Sequence, residues 1–360
     1  MTPATVRTVG VEEELLLVDA DGAVTPVGAD VVESSVEIES EFKLEQAEIA
    51  SEPTRDLAEL RSQLLQRRQA VARAAQRNGG HAVAIATSPL AAEPHETPGG
   101  RYARMARDFG IIAGQQLTCG QHVHVAVSSR QEGVAILDRI RIWLPVLRAV
   151  SANSPFAQGL DSGYQSYRSI QWGLWPTSGP TEVFESEAAY DATVGELIGS
   201  GAALDEGMIY FDARLSVRYP TLEIRVADVC TDVDDAVLVA ALCRALVETA
   251  AHDYRDAVAP RRVGVNALRA ATWRAARFGL TGELVDPTGS GCVSAAEVLS
   301  QLQAHLEPAL RDSGDLELVT AGLTRVLETG SGARRQRDRF AQTGDLADVV
   351  LDAARRTLET

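Results

Sequence analysis

Three consecutive glutamates, Glu12 to Glu14, interrupt an apolar, strand-like run near the start of the chain, VGVEEELLLVD. Successive side chains of a strand point to opposite faces of the sheet, so Glu12 and Glu14 share one face while Glu13 joins the apolar residues on the other. Two carboxylates about 6–7 Å apart on one face repel each other unless a divalent cation or arginines lie between them. Carboxylate oxygens suit Mg²⁺ or Mn²⁺. The pattern therefore predicts either a metal site built on a strand or an exposed acidic strand end.

Two later segments repeat this alternation. CGQHVHVAV places His122 and His124 on one face of a strand, either as site residues or as a pair of core histidines. YPTLEIRVADV places Glu223 and Arg225 together, either as an internal ion pair or as a metal ligand beside a phosphate-binding guanidinium. Each of the three segments is ambiguous alone.

Other charged residues give weaker signals. EFKLEQAEIAS offers Glu41, Glu45 and Glu48, but simple alternation does not place all three on one face. Several arginines could together neutralise a polyphosphate, although each one alone more often lies on a solvated surface; they are Arg168, Arg214, Arg218, and Arg334 and Arg337 in GSGARRQRDR.

The net charge of −16 disfavours nucleic acid and anionic membranes as partners, because long-range repulsion opposes their approach. Four widely spaced cysteines, without a signal peptide or a membrane-spanning apolar run, predict a cytoplasmic protein. Neither GxxxxGK[ST] nor GxGxxG is present, so any nucleotide chemistry must use metal-bridged phosphates held by arginines.

The periodicity of the remaining chain predicts an α+β fold with a mostly antiparallel sheet backed by helices. Helical patterns cover 54–78, about 133–150 with a kink before Pro145, and a segment from Thr231 that begins with the capping box TDVD. HAVAIATSP is typical of a buried strand, and the segments 6–18, 118–127 and 206–229 predict further strands. The irregular connection 151–180 suggests a functional loop or lid. We expect residues 1–360 to form a single domain.

Five ordered motifs resemble the bacterial glutamate–cysteine ligase type 2 family, and more closely its carboxylate–amine ligase branch. They extend over nearly the whole chain: GVEEELLLVD, CGQHVHVAV, SANSPFAQGLDSGYQSYRS, PTLEIRVADV and GSGARRQRDR. The resemblance implies a glutamine synthetase-like fold, whose curved, mostly antiparallel sheet carries metal ligands on its concave face. It also implies ATP and Mg²⁺, with Mn²⁺ as an alternative, and a homodimer.

The resemblance implies roles for individual residues. The metal ligands fall on Glu12, Glu14, Glu48, His122 and Glu223, with Glu41 as the alternative to Glu48. Arg225, Arg168 and Arg214 would act on the migrating phosphoryl group or the substrate carboxylate. Arg218, Arg334 and Arg337 would contact the nucleotide.

The resemblance implies a small-molecule enzyme that joins a glutamate-like carboxylate to an amine. ATP would phosphorylate the carboxylate to an acyl phosphate, which the amine attacks to form an amide. Weak glutamate–cysteine ligase activity is expected beside this reaction. Two alternatives stay open: a phosphotransferase of the same fold, as in guanidino kinases, and a non-catalytic metal- or nucleotide-binding protein.

Overall fold

A seven-stranded sheet organises the chain. The computed structural model describes residues 6–289 and 291–359. The strands are β1 (Val9–Val18), β2 (Ile38–Ser40), β3 (Gln46–Ala50), β4 (His81–Val83), β5 (Gly120–Ala126), β6 (Phe156–Ala157), β7 (Leu160–Asp161), β8 (Ala213–Leu215), β9 (Thr221–Asp228), β10 (Glu283–Val285) and β11 (Cys292–Ser294). The helices are α1 (Gly28–Glu33), α2 (Leu57–Arg77), α3 (Gly100–Phe109), α4 (Ile111–Gln115), α5 (Arg130–Ile140), α6 (Leu144–Ser151), α7 (Arg168–Trp172), α8 (Glu187–Gly199), α9 (Val233–Arg255), α10 (Val265–Phe278), α11 (Ala295–Ser313), α12 (Leu316–Thr329), α13 (Gly332–Thr343) and α14 (Leu346–Arg356).

Neighbouring strands of the large sheet pair in the order β2-β3-β1-β5-β9-β8, and β4 pairs with the end of β1. The pairs of this sheet are antiparallel. β6–β7 and β10–β11 form separate two-stranded hairpins. The predicted α+β architecture with a mostly antiparallel sheet is confirmed.

One face of the sheet packs on helices through apolar side chains such as Val11, Val123 and Ile224, each at most 1% exposed. α9 contacts β1 and β5, and α2 contacts β3 and β4. The uninterrupted apolar run in α9 explains why this helix is buried along most of its length. The opposite face carries Glu12 and Glu14 of β1.

β9 contains one extra residue relative to β5. Gln121 pairs with Ala227, whereas Val123 pairs with Ile224. Such a bulge changes which face later residues of the strand occupy. Gly120 and His124 share a face of β5, so their partners Asp228 and Glu223 share a face of β9 despite their odd spacing.

Four predicted elements differ in detail. The predicted helix 133–150 is two helices, α5 and α6, and Pro145 lies in the first turn of α6, where proline is tolerated. HAVAIATSP pairs with β1 only over His81–Val83. The predicted strand 206–229 is divided into a single 3₁₀ turn, β8 and β9.

The fourth difference concerns the start of α9. Asp232 is its N-cap residue but makes no capping hydrogen bond through its side chain, so the predicted capping box is wrong. A capping box in TDVD would join Thr231 and Asp234, but the Thr231 hydroxyl donates to the carbonyl of Ala84 at 2.8 Å and Asp234 pairs with Arg61 at 2.6 Å. Contacts with residues distant in sequence therefore replace the predicted capping hydrogen bond.

In the described part of the chain, no helix has both the length and the apolar character needed to cross a membrane.

Candidate active site

The three glutamates of β1 divide between the two faces of the sheet, as strand alternation predicts. Glu12 and Glu14 line a large cavity of about 1380 Å³. Glu13 is fully buried on the other face, where both its oxygens accept hydrogen bonds from Arg68 at 2.8 and 2.6 Å. Glu13 thus links the sheet to α2, while its neighbours face the cavity.

Strand pairing brings the predicted metal ligands together. Glu12 pairs with His122 across β1 and β5, and Glu14 pairs with Glu48 across β1 and β3. His122 Nδ1 lies 3.4 Å from Glu12 Oε2, and His124 Nε2 lies 3.3 Å from Glu12 Oε1. The site therefore spans neighbouring strands.

Three overlapping groups of side chains have ligand atoms within 4.8 Å of one another. They are Glu12 with Glu48 and His122, Glu12 with His124 and Glu223, and Glu14 with Glu41 and Glu48. Carboxylates supplemented by imidazole are a suitable donor set for Mg²⁺ or Mn²⁺. His122 Nε2 is buried and has no hydrogen-bond partner among the described residues, which fits the role of a metal ligand.

The acidic groups shift one another's pKa. Burial, reinforced by the charge of Glu14, raises the pKa of Glu41 to about 7. Burial and the neighbouring Glu41 raise the pKa of Glu48 well above its ordinary value. Burial also opposes ionisation of Glu12, but the side chains of His122 and His124 outweigh it and lower the Glu12 pKa. A bound divalent cation would favour the ionised form of each carboxylate.

Two guanidinium groups flank Glu223. Arg214 Nε donates to Glu223 Oε2 at 2.8 Å, and Arg225 also donates to this carboxylate. Burial opposes ionisation of Glu223, but Arg225 and then Arg214 outweigh it and lower its pKa. The rings of Trp172 and Tyr210 each lie 5.9 Å from the Arg225 guanidinium carbon. Arg225 and Arg214 therefore put positive charge beside the acidic groups, within the same cavity.

Arg168 borders the site without lining the cavity. Its side chain is 1% exposed and lies 3.9 Å from Asp228. Space for it exists because Gly120 has no side chain; a Cβ there would lie 2.2 Å from Arg168 Nη2. The predicted contact of Arg168 with substrate remains a prediction, and the structure places its guanidinium behind the residues that line the cavity.

The three arginines predicted to contact nucleotide do not lie together: one lines the cavity and two do not. Arg218, in the exposed turn between β8 and β9, lines the cavity. Arg334 and Arg337 lie on α13, outside the cavity lining, where they pair with Asp338 at 3.7 Å and Asp161 at 2.7 Å. The structure does not bring Arg334 and Arg337 to the acidic cluster, because α13 packs against α14.

Sequence reasoning missed several residues that line the cavity. Arg101 and Tyr102 extend into it from α3, and Arg101 Nε lies 3.0 Å from Asp205 Oδ2. Arg67 enters from α2, and Tyr219 from the β8–β9 turn. Arg67, Arg101 and Tyr102 lie outside the alternating segments, so strand alternation could not indicate them. Tyr219 begins YPTLEIRVADV in phase with Glu223, so the same alternation could have indicated it.

Comparison with known sequences gives matches over nearly the whole chain. A family model described as glutamate–cysteine ligase family 2 matches residues 8–352. A protein of Streptomyces avermitilis, provisionally named glutamate–cysteine ligase 2-1, is 48% identical over 98% of this chain and 99% of its own length. A protein of Streptomyces coelicolor with a similar provisional name is 47% identical over the same shares.

Solved structures share the fold at much lower identity. The glutamate–cysteine ligase of Francisella tularensis, determined in complex with AMP, matches with a TM-score of 0.74 and 14% identity over 98% of this chain and 89% of that chain. A bifunctional glutathione synthetase from Pasteurella multocida matches with a TM-score of 0.74 and 16% identity over 98% of this chain and 52% of that chain. These likenesses concern the fold, which agrees with the antiparallel sheet described above.

Proposed function

The chain belongs to glutamate–cysteine ligase family 2, a family of C–N ligases, and from this premise we propose that it is an ATP-dependent carboxylate–amine ligase. The reaction would phosphorylate a substrate carboxylate, and an amine would displace phosphate from the acyl phosphate to form an amide. The proposal includes glutamate plus cysteine as a weakly used substrate pair. It takes residues 1–360 as one catalytic domain of a cytoplasmic homodimer.

The observation that supports the proposal most strongly is the overlap of three metal-capable groups on one face of the sheet. Glu12 and Glu48 each belong to two of the groups. Four or more carboxylates around a shared cavity repel one another unless protons or cations offset their charge. A purely structural sheet gains nothing from this arrangement.

The donor set fits Mg²⁺. Glu12, Glu14, Glu48, His122 and Glu223 would hold the ions, which when bound neutralise phosphate oxygens during phosphoryl transfer. Glu41 and His124 complete two of the three groups and join this proposed set.

Arg225 and Arg214 would stabilise the charge that develops on the migrating phosphoryl group. Glu223 fixes both guanidinium groups through hydrogen bonds. Arg214 Nη1 also donates to the carbonyls of Gly207 and Ile209 at 2.9 and 3.0 Å, so it is held on both sides. Preorganised charge costs little reorganisation when the substrate reacts.

The test is turnover by the purified protein with ATP, Mg²⁺ and a panel of carboxylate and amine pairs, beginning with glutamate and cysteine. The proposal predicts ADP, phosphate and an amide in equal amounts for at least one pair. ADP with a stable phosphorylated product and no amide would support the phosphotransferase alternative. Binding of Mg²⁺ or nucleotide without turnover across the panel would support a non-catalytic protein.

Matched variants connect turnover to the site. We expect Glu12→Gln and Glu223→Gln each to abolish Mg²⁺-dependent ADP release. Glu317→Gln removes the same charge from an exposed position on α12 and should leave it unchanged. ADP release that persists in both site variants would show that the metal assignment is wrong.

A further inference from the structure

Arg168 contacts the backbone of two strands at the site, at Gly120 of β5 and Arg225 of β9, without lining the cavity. Its guanidinium lies against Gly120, whose amide donates to Glu14 Oε2 at 2.6 Å. Its Nη2 also donates to the carbonyl of Arg225 at 3.5 Å. Its Nε is buried and has no hydrogen-bond partner in the described residues. The position of Arg168 therefore bears on two site residues, on two different strands.

Asp228 is the buried counter-charge of Arg168, with 3.9 Å between Asp228 Oδ1 and Arg168 Nη1. Its carboxylate is fully buried, and it accepts hydrogen bonds from the hydroxyls of Ser154 and Ser166 at 2.6 and 2.8 Å. The same Ser154 hydroxyl accepts from the Arg168 amide at 3.0 Å. Both ends of Arg168, its backbone and its guanidinium, are thus set by one small polar cluster.

Asn153 connects this cluster to the helix α13. The backbone amide of Asn153 donates to Asp228 Oδ2 at 2.8 Å, and its side-chain Nδ2 donates to the carbonyl of Val229 at 2.7 Å. Gln336 of α13 donates from Nε2 to both the carbonyl and Oδ1 of Asn153, at 2.9 and 2.8 Å. Gly332 permits this approach, because a Cβ there would lie 2.1 Å from Asn153 Oδ1.

We infer that Gln336 is a positioning residue for the ligase reaction, acting through Asn153 and Asp228 on Arg168. The inference rests on the proposed function. A fully buried hydrogen-bond network favours one arrangement of its members, so losing one member loosens the rest. Small displacements of groups that position a reaction can cost about 100-fold in rate without removing a catalytic group. Gln336 would thus give the segment GSGARRQRDR a role in the site that does not require Arg334 or Arg337 to contact nucleotide.

The kinetic test compares Gln336→Met, Arg168→Lys and the double variant. We expect Gln336→Met to lower kcat about tenfold or more and to change the KM for ATP less than about twofold. The double variant should be little slower than Arg168→Lys, because both changes act through the same guanidinium. Multiplicative losses in the double variant would overturn the inference. Gln336→Glu keeps the shape and removes both donors, and it replaces the methionine variant if that one does not fold.

A second measurement does not depend on turnover. Amide hydrogen exchange at Gly120 and Arg168 should be about tenfold faster in Gln336→Met than in the wild-type protein, because the network that holds them is loosened. The control is Asp138→Asn, whose buried carboxylate on α5 likewise anchors a loop by accepting from the amides of Phe184 and Glu185 at 2.8 Å. It should leave exchange at these two amides and kcat unchanged.

The outcomes separate the two proposals. Unchanged exchange at Gly120 and Arg168 in Gln336→Met would overturn the positioning inference whatever the enzyme does. Faster exchange in a protein that shows no ligase turnover would support the structural link and contradict the proposed function.

Discussion

Glu14 and Glu48 are direct partners in the antiparallel pairing of β1 and β3, so two carboxylates lie opposite each other on neighbouring strands. Like charges directly opposite in a sheet destabilise it. Glu41 completes the group, with ligand atoms of all three residues within 4.8 Å of one another. A fold that keeps this arrangement needs protons or cations to offset the repulsion.

The first prediction concerns stability and Mg²⁺. Saturating Mg²⁺ should raise the melting temperature of the wild-type protein, since an ion at 100 times its Kd contributes about 2.7 kcal/mol. Glu48→Gln should raise the melting temperature of the metal-free protein and reduce the effect of Mg²⁺. Scanning calorimetry with and without Mg²⁺ measures both, with Glu317→Gln as the control. An equal rise in melting temperature with Mg²⁺ in the wild-type protein and in Glu48→Gln would contradict the role of Glu48 as a metal ligand.

The second prediction concerns pH. The raised pKa of Glu41, about 7 against an ordinary 4.5, means that the folded protein holds a proton that the unfolded chain releases between these values. Without metal, this group therefore makes the free energy of unfolding decrease as pH rises from about 4.5 to about 7. Mg²⁺ must displace the proton, so its affinity should weaken below pH 7 and its binding should release protons.

Calorimetric titration in two buffers of different ionisation enthalpy counts these protons. Glu41→Gln should release fewer of them at pH 6.5 than the wild type. A Mg²⁺ affinity that is independent of pH between 6 and 8 would contradict the prediction.

The third prediction concerns Arg225. Arg225→Gln should lower kcat about 100-fold, as expected when a preorganised group that stabilises developing charge is removed. Glu223 keeps Arg214 as its partner, so the fold should persist. Steady-state phosphate release measures the loss, and Arg269→Gln, at an exposed position of α10, is the control. A rise in KM alone, with kcat intact, would assign Arg225 to substrate binding only.

The fourth prediction concerns the other face of β1. Arg68 donates to Glu13 and also to the carbonyls of Cys230 and Thr231, each at 2.7 Å. Arg68→Met leaves a buried carboxylate unpaired and should lower the free energy of unfolding by about 3–5 kcal/mol. Urea denaturation of this variant measures the change. A loss below about 1 kcal/mol would contradict the prediction and would mean that Glu13 is protonated or hydrated in the variant.

Strand alternation was sufficient to predict which of several charged side chains share a face of the sheet. It placed Glu13 on the face opposite to Glu12 and Glu14. It also placed His122 and His124 on one face, and Glu223 and Arg225 on one face. Alternation is a local property of backbone geometry, so it can be inferred without knowing which strands are neighbours. The register that places Glu48 beside Glu14 could not be inferred in this way, because it depends on long-range pairing.

The sequence was less informative where a residue's role depends on distant partners. Glu41 precedes β3 in an irregular segment, so no periodicity placed it with Glu14. Thr231 has the sequence context of a helix cap, yet its hydroxyl donates to the carbonyl of Ala84, which is distant in sequence. Asp228 reaches the same face as Glu223 only through a bulge. In each case tertiary contacts overrode the local pattern.

The central claim is that acidic side chains from separate strands share divalent cations in one cavity. Crystals grown with Mn²⁺ and a non-hydrolysable ATP analogue test it through anomalous diffraction at the manganese edge. The account predicts strong peaks within about 2.0–2.6 Å of carboxylate oxygens of Glu12, Glu14, Glu48 or Glu223. Manganese bound only at surface carboxylates, with this cluster free of anomalous density while the analogue is bound, would contradict it.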